Sequence, residues 1–407
     1  MIYYTINYAK KINYRTKKKE QNTFRNINPF YSTFTISIMP GLKEFKYEQV
    51  KDEKDADAAA WVFASKSKFE KIFFKFPVMM PDEVRARVLY TSLCPIDSLM
   101  GRGEWRNQQY PKCTGHEIIA LITNIGSEVE NVKSGDVVGF GPFIRSCGEC
   151  KFCEQGWNHA CENIEFDDRF IHAKRFGGYA THVQLPAQCC VKIPENLDIS
   201  KASPLLCAGV TSYAVMSLYV KPDDRVALIG IGGLGHLAVQ MAKKMAREVH
   251  AITHTAEKID AIKHLGADKV LTWDEFHKEN PHNVYDAMII CIPKWPKKDI
   301  VKSWIDSLAP YGRLIVLGIM PDSESGDIDL NWLKVKSNLL ISSFAGGMKH
   351  TEDVLKFCAD NHIECQCEFM DFNEFDKALK KQEKSKARFR IVVKTEEYAK
   401  KLEALHA

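Results

Sequence analysis

Several absences narrow what this 407-residue chain can be. No uninterrupted apolar run approaches the ~20 residues that a membrane-spanning helix needs, so no membrane partner is expected. The N-terminus has no apolar core of the secretory kind. There is no internal repeat and no low-complexity block. A basic surface is missing too, although the formal net charge is +4. Residues 1–39 hold Lys10, Lys11, Arg15, Lys17, Lys18, Lys19 and Arg25 against Glu20 alone, a local +6 that leaves residues 40–407 at −2. A body this close to neutral lacks the basic footprint of a nucleic-acid binder.

What is present fits a soluble globular protein of two or so domains: 45% hydrophobic and 27% charged residues, both ordinary values. The thirteen cysteines are odd in number and mostly scattered. This points to a reducing, cytoplasmic setting, in which a tight cysteine cluster is metal-bound rather than disulfide-bonded. Residues 1–39 are rich in Tyr, Asn, Thr and Lys and have no clear period. The expectation is a disordered extension, or a stretch upstream of a start near Met39; a basic organelle-targeting segment is the alternative.

Along the body, the first half is β-rich. DEVRARVLYTS (82–92) alternates like a strand, and GHEIIALITNIGSEVENVKSGDVVGF (115–140) reads as strand, turn, strand. From about residue 207 the pattern changes. RVALIG (225–230), VHAIT (249–253), DAMIICI (286–292) and GRLIVLGI (312–319) are apolar strands. GHLAVQMAKKMA (235–246), AEKIDAIKHLGA (256–267) and KSWIDSLAP (302–310) are the helices between them. Such alternation predicts a parallel, doubly wound sheet. RFRIVVK (388–394) returns to strand character.

GIGGLG (230–235) carries G-x-G-x-x-G at Gly230, Gly232 and Gly235, with Gly233 and Leu234 between. The motif follows an apolar strand and opens a helix, the context a dinucleotide loop requires. Gly230 suits a tight turn, Gly232 lets backbone approach a pyrophosphate, and Gly235 lets helix and strand pack closely. The acidic residue expected ~20 positions on, which binds the ribose diol of NAD, is absent. Thr253, His254 and Thr255 stand there, with Lys258 after them. Hydroxyls, an imidazole and an ammonium accept a 2′-phosphate that a carboxylate would repel, so NADP(H) is expected.

Cys147, Cys150, Cys153 and Cys161 fall within CGECKFCEQGWNHAC (147–161). This spacing lets one loop, about 145–162, wrap a tetrahedral Zn²⁺ with four thiolates and leave no open position, which makes the site structural; a redox switch is the minority reading, and a nucleic-acid zinc finger is disfavoured by the near-neutral body and the lack of a helix placed to enter a groove. A metal that acts on a substrate needs three protein ligands and an open fourth position. Cys94, His116 and Cys207 are candidates, but spacing alone does not single them out.

Further motifs bear on these candidates: C-x-x-D at Cys94–Asp97, Trp105 followed by YP and GHE at 110–117, FGGYATHV (176–183), PLLCAG (204–209), GIGGLGHLAVQ (230–240), GRLIVLG (312–318) and ARFRIVV (387–393). In this order, across residues 45–395, they resemble the zinc-dependent medium-chain alcohol dehydrogenases, especially the cinnamyl alcohol dehydrogenase-like branch. The resemblance implies an α/β fold with a split, β-rich GroES-like catalytic domain (40–206 and 346–407) around a Rossmann domain (207–345). It implies that Cys94, His116 and Cys207 bind a catalytic zinc, with Glu117 near the metal and Asp97 orienting His116. Two Zn²⁺ per chain, NADP(H), an aldehyde or alcohol substrate and a homodimer complete the expectation.

The chain departs from the family at two positions. Two residues after the first zinc cysteine, relatives usually carry Ser or Thr as a proton relay, and three further on often His; here Ile96 and Leu99 occupy these places. Carbonyl reduction with protonation by water is the first reading. Hydride addition to the β-carbon of an unsaturated carbonyl and a catalytically degenerate nucleotide-binding protein are the alternatives. Cys113 and Thr114 also replace an apolar residue and Pro, which reads as a local loop change.

Overall fold

The computed structural model describes residues 46–105, 109–164, 170–171, 175–318 and 327–404; the basic segment 1–39 lies outside them. Eight strands come first: β1 (Glu48–Val50), β2 (Ala58–Phe63), β3 (Phe69–Lys75), β4 (Glu83–Ser92), β5 (Ile118–Ile125), β6 (Val137–Phe140), β7 (His182–Pro186) and β8 (Val191–Lys192). Six more follow: β9 (Arg225–Ile229), β10 (Glu248–Thr253), β11 (Lys269–Thr272), β12 (Tyr285–Ile290), β13 (Leu308–Val316) and β14 (Leu339–Ser342). The last two are β15 (Cys367–Asp371) and β16 (Arg390–Lys394).

β9 to β14 form one parallel sheet in the order β11-β10-β9-β12-β13-β14. The chain reverses its direction of travel between β9 and β12, and a crevice for ligand opens at such a switch point. These strands are apolar on both faces because helices cover both. One face packs Val226, Leu228, Val249 and Ala251; the other packs Ala227, Ile229, Ile252, Met288 and Ile290 against Trp304.

The second large sheet runs β15-β16-β4-β5-β6-β8, with β7 also paired to β4. β15 and β16 therefore return across the intervening parallel domain to complete a sheet begun some 300 residues earlier, and Val392 pairs with Ser92. In β4, Val84, Ala86 and Val88 face one core, and the pairing with β5 shifts register between Arg85 and Ala86 and between Val88 and Tyr90. Leu89 points to the opposite face, as strand alternation requires, and packs in the core shared with the parallel domain. That shared core joins Leu89, Ile119 and Val191 of this sheet to Val226, Leu237 and Val354.

Two helices differ in detail from the sequence reading. The stretch at 256–267 begins as a 3₁₀ turn (Ala256–Lys258), continues as Ile259–His264, and stops at Gly266, whose φ of +101° only glycine adopts without strain. The helix expected at 302–310 spans Lys298–Ser307, and Leu308 to Pro310 already belong to β13. Pro310 lacks the N–H that a further helical turn would use.

Trp304 is fully buried and meets Trp273 and Trp295 edge-on, at centroid distances of 5.9 and 6.0 Å. Trp304→Ala should therefore cost about 3–5 kcal/mol, read as a lowered midpoint in guanidinium unfolding. A shift below 1 kcal/mol would mean that the helical layer collapses onto the vacated space.

Candidate functional site

Cys94 is the N-cap of α1 (Pro95–Gly101), which starts immediately after β4. Asp97, at the third helical position and fully buried, accepts four hydrogen bonds. Its Oδ1 takes the Gly115 N–H (2.8 Å) and His116 Nδ1 (2.9 Å); its Oδ2 takes the Tyr179 hydroxyl (3.1 Å) and the Cys94 N–H (3.4 Å). The carboxylate thereby holds a hydrogen on His116 Nδ1 and turns Nε2 toward the sulfurs. Nε2 lies 3.2 Å from Cys207 Sγ and 4.0 Å from Glu117 Oε1. Cys207 caps α2 (Ala208–Tyr219), the helix that leads into the parallel domain.

The ligating atoms of Cys94, His116, Glu117 and Cys207 all lie within 4.8 Å of one another. Three segments far apart in sequence thus converge on one point, with the two thiols and the imidazole that Zn²⁺ favours. A hydrogen bond from Cys207 holds the Cys94 thiol well below its ordinary range, with the His116 ring adding to the effect. Donating that hydrogen bond pushes Cys207 up. Burial opposes a charged His116, but the Asp97 carboxylate and the Cys94 sulfur outweigh it and raise the ring well above the usual imidazole value.

Glu117 is fully buried and paired with the Arg390 guanidinium, and it also accepts from the Ser92 hydroxyl. Burial raises its carboxyl even so, with Arg390 pulling the other way. Arg390, at the start of β16, is also buried. A Cβ placed on Gly233 would sit 2.8 Å from Arg390 Cδ, so this one side chain touches both the glycine loop and the carboxylate beside the thiol–imidazole cluster. Reading the sequence placed Arg390 only within a strand motif; an arginine inside an otherwise apolar strand was the available signal.

The glycine loop lies at the switch point between β9 and β12. Gly230 has φ +91°, and a Cβ on Gly235 would collide with the Gly230 carbonyl oxygen. A Cβ on Gly232 would meet nothing within 4 Å, so open space lies beside the backbone where a pyrophosphate would approach. Leu234 caps α3 (Gly235–Met245). At the end of β10, Thr253 is buried and its hydroxyl is engaged with the Thr255 backbone (3.4 Å). His254 is exposed, Thr255 and Lys258 are half-buried, and Lys258 Nζ lies 5.9 Å from the Phe389 ring centre. Burial lowers the Lys258 ammonium, and the nearby Arg388 adds to this.

The four cysteines of the 147–161 loop also come together, their sulfurs within 4.8 Å of one another. Cys150 and Cys153 are 3.5 Å apart, and Cys147 and Cys153 3.8 Å. A tetrahedron with Zn–S bonds of about 2.3 Å has edges of about 3.8 Å, so the cage has the size of a zinc site. Burial works to raise the Cys150 thiol, but the N–H groups of Cys153 and Glu162 bring it down to about 6. At Cys153 burial prevails and pushes the thiol up to about 12, and at Cys147 it also raises the thiol.

An apolar wall rises from the first cluster. Leu99 and Trp105 pack against Cys94, Ile96 and Met100, with Cys207 beside them. Trp105 meets Phe170 edge-on at 6.0 Å, and Phe170 meets Phe143 at 4.8 Å and Phe344 at 6.0 Å. Ser98 turns away, donating to Gln382 Oε1 (2.9 Å). Cys113 donates to the Gly177 carbonyl (3.4 Å), and the Thr114 carbonyl accepts from the Tyr179 N–H (3.0 Å). The altered loop before His116 is thus tied to the segment that carries Tyr179.

Residues 80–195 match the alcohol dehydrogenase GroES-like domain, and residues 233–360 match the zinc-binding dehydrogenase domain. Mannitol dehydrogenase of Apium graveolens is 32% identical over 322 residues, which is 76% of this chain and 86% of that protein. Cinnamyl alcohol dehydrogenase 8 of Arabidopsis thaliana is 30% identical over 323 residues, 76% and 87% of the two chains. Among solved structures, a cinnamyl alcohol dehydrogenase from Sorghum bicolor gives a TM-score of 0.76 at 26% identity, covering 83% of this chain and 97% of that one. The CAD of Helicobacter pylori complexed with NADP(H) gives 0.75 at 26% identity, covering 86% and 99%.

Asp97→Asn tests the network. An amide presents N–H to at least one of the four donors, leaving a buried group unpaired at a cost of about 1–3 kcal/mol. The thermal midpoint should fall accordingly; an unchanged midpoint would show that the four hydrogen bonds contribute no net stability.

Proposed function

The chain belongs to the zinc-dependent medium-chain alcohol dehydrogenase family, in its cinnamyl alcohol dehydrogenase-like branch, and from that membership we propose that it interconverts an aldehyde and its alcohol with NADP(H) and zinc. The observation that carries the reading is the convergence of Cys94, His116 and Cys207 beside the glycine loop and beneath the aromatic wall. Zn²⁺ held by these three residues supplies Lewis-acid polarisation of a carbonyl oxygen, and the nicotinamide supplies the hydride.

The chain's own groups do the rest. Asp97 holds the His116 ring by Nδ1 and aims Nε2 at the sulfurs. Arg390 balances the buried Glu117 charge. Trp105, Phe143, Phe170 and Phe344 offer apolar surface and π faces, which favours an aromatic aldehyde. His254, Thr255 and Lys258 suit a 2′-phosphate, and Arg388 adds a cation near Lys258.

The oxygen that gains charge during carbonyl reduction must take a proton. Ile96 and Leu99 carry none, and the Ser98 hydroxyl is committed to Gln382, so solvent is the donor. The same apolar stretch supports a second reading, hydride addition to the β-carbon of an unsaturated carbonyl, where a relay at this point is less needed.

The experiment is NADPH oxidation against aromatic and aliphatic aldehydes and enals, with product identification and a zinc count by mass spectrometry. Alcohol products, weaker rates with NADH and two zincs per chain are expected. Cys207→Ala should lose one zinc and the activity together. A saturated aldehyde as product would shift the assignment to alkene reduction, and one zinc confined to the cysteine loop would overturn the enzymatic reading.

A homodimer suits the exposed edge of the parallel sheet. β14 pairs only with β13 among the described residues and exposes Leu339 and Leu340, next to exposed Leu330 and Val335. Pairing of this edge with its symmetry mate would cover both the backbone and the apolar side chains. Light scattering should give twice the chain mass for the wild type and the monomer mass for Leu339→Glu; a monomeric wild type would refute the dimer.

A further inference from the structure

His236 is a buried group outside this scheme. His236, the second residue of α3, has no solvent contact, yet every polar atom of its ring is used. Nδ1 lies 3.2 Å from the Gly232 carbonyl oxygen, and Nε2 lies 3.3 Å from the Gln366 N–H and 3.3 Å from Cys365 Sγ. A carbonyl only accepts and an amide N–H only donates. Nδ1 therefore carries the hydrogen, and Nε2 receives from both Gln366 and Cys365. The ring face lies flat on Phe389, 4.9 Å between centroids and 3° from parallel. Burial and the Arg390 charge push the ring down to about 3, so it stays neutral throughout the working pH range.

The partners lie on two sides of a junction. Gly232 belongs to the glycine loop of the parallel domain. Cys365, Gln366 and Phe389 belong to the segments around β15 and β16, which complete the other sheet. Gln240, one turn further along α3, reinforces the seam by donating to the Glu364 carbonyl (3.0 Å). The Gly232 carbonyl also accepts the His236 backbone N–H (3.0 Å). Two donors from one residue thus fix the direction of that carbonyl. In a planar trans peptide the C=O of Gly232 and the N–H of Gly233 point in opposite directions. Holding the carbonyl toward the helix turns the Gly233 N–H outward, toward the open space beside Gly232, where an anion at a helix N-terminus would sit.

We propose that His236 is a positioning residue that holds the Gly232–Gly233 peptide in its anion-binding orientation and registers the glycine loop against residues 365–366 and 389 of the other domain. The proposal rests on the reading of that loop as the NADP(H) site. It assigns His236 no proton transfer and no contact with substrate.

The test uses the full-length, zinc-loaded enzyme with NADPH as probe. His236→Leu removes the ring hydrogen bonds; His236→Asn keeps a short donor that reaches the Gly232 carbonyl. The Leu variant should raise the KM and Kd for NADPH at least tenfold while kcat at saturating NADPH, aldehyde KM and zinc content stay within about threefold of wild type. The Asn variant should recover most of the NADPH affinity. Should the Leu variant fail to fold, Cys365→Ala and Cys365→Ser take its place. Ala, which removes one of the two donors to Nε2, should weaken NADPH binding severalfold, and Ser, which keeps a donor, should restore it. Unchanged NADPH affinity in folded His236→Leu, or in Cys365→Ala where it is the substitute, overturns the positioning role while the loop assignment stands. Absence of NADPH binding by the wild type overturns both.

Discussion

The buried carboxylate of Asp97 is the constraint around which the site is arranged. It lies three residues after Cys94, so the geometry of the first helical turn brings it back onto the Cys94 N–H. Its remaining lone pairs hold Gly115, His116 and Tyr179. Three loops that approach from different directions are thereby pinned to one anion. Such an anion is tolerable inside a protein only because every lone-pair direction is used. The imidazole that results has one nitrogen spent on the carboxylate and the other presented to two sulfurs, a donor set suited to a soft divalent cation.

A second buried ion pair extends this arrangement across the junction of the two sheets. Glu117 follows His116 directly, and its charge is answered by Arg390 at the start of a strand that arrives from the far end of the chain. Arg390 in turn lies against Gly233. The thiol–imidazole cluster and the glycine loop therefore share a neighbour, and the returning strand β16 carries the connection. This gives the split sheet a chemical consequence: the last strand supplies both a structural edge and the cation that compensates the site. The aromatic wall from Trp105 to Phe344 lowers the local polarity, which strengthens each of these charge interactions.

Much of this was legible in the sequence where the signal is local. The parallel sheet follows from short apolar strands alternating with helical stretches, and the glycine loop from its position between strand and helix. The cysteine cage follows from four residues crowded into one loop. The cluster of Cys94, His116 and Cys207 was not legible from spacing, since each residue alone resembles an ordinary buried cysteine or histidine; it came from the order of motifs shared with a family. Arg390, His236 and Tyr179 were missed as parts of the site. Their roles depend on partners more than 80 residues away, and no periodicity reports on such a distance. Thr253 was expected among the groups facing a phosphate, but its hydroxyl closes the turn with Thr255.

By itself, the sequence determined the elements and the chemistry within reach of one loop: strands by their apolar runs, the tight turn at Gly230, the four-thiol cage, and the missing carboxylate after β10. Those are properties of neighbouring residues, governed by backbone sterics and by the few ångströms a side chain spans. Tertiary structure alone decided which distant groups meet. The return of β16 beside β4 and the shared core between the two sheets bring Cys94, His116, Cys207 and Arg390 to one place. Packing of long-range strands sets those distances, and no local rule encodes them.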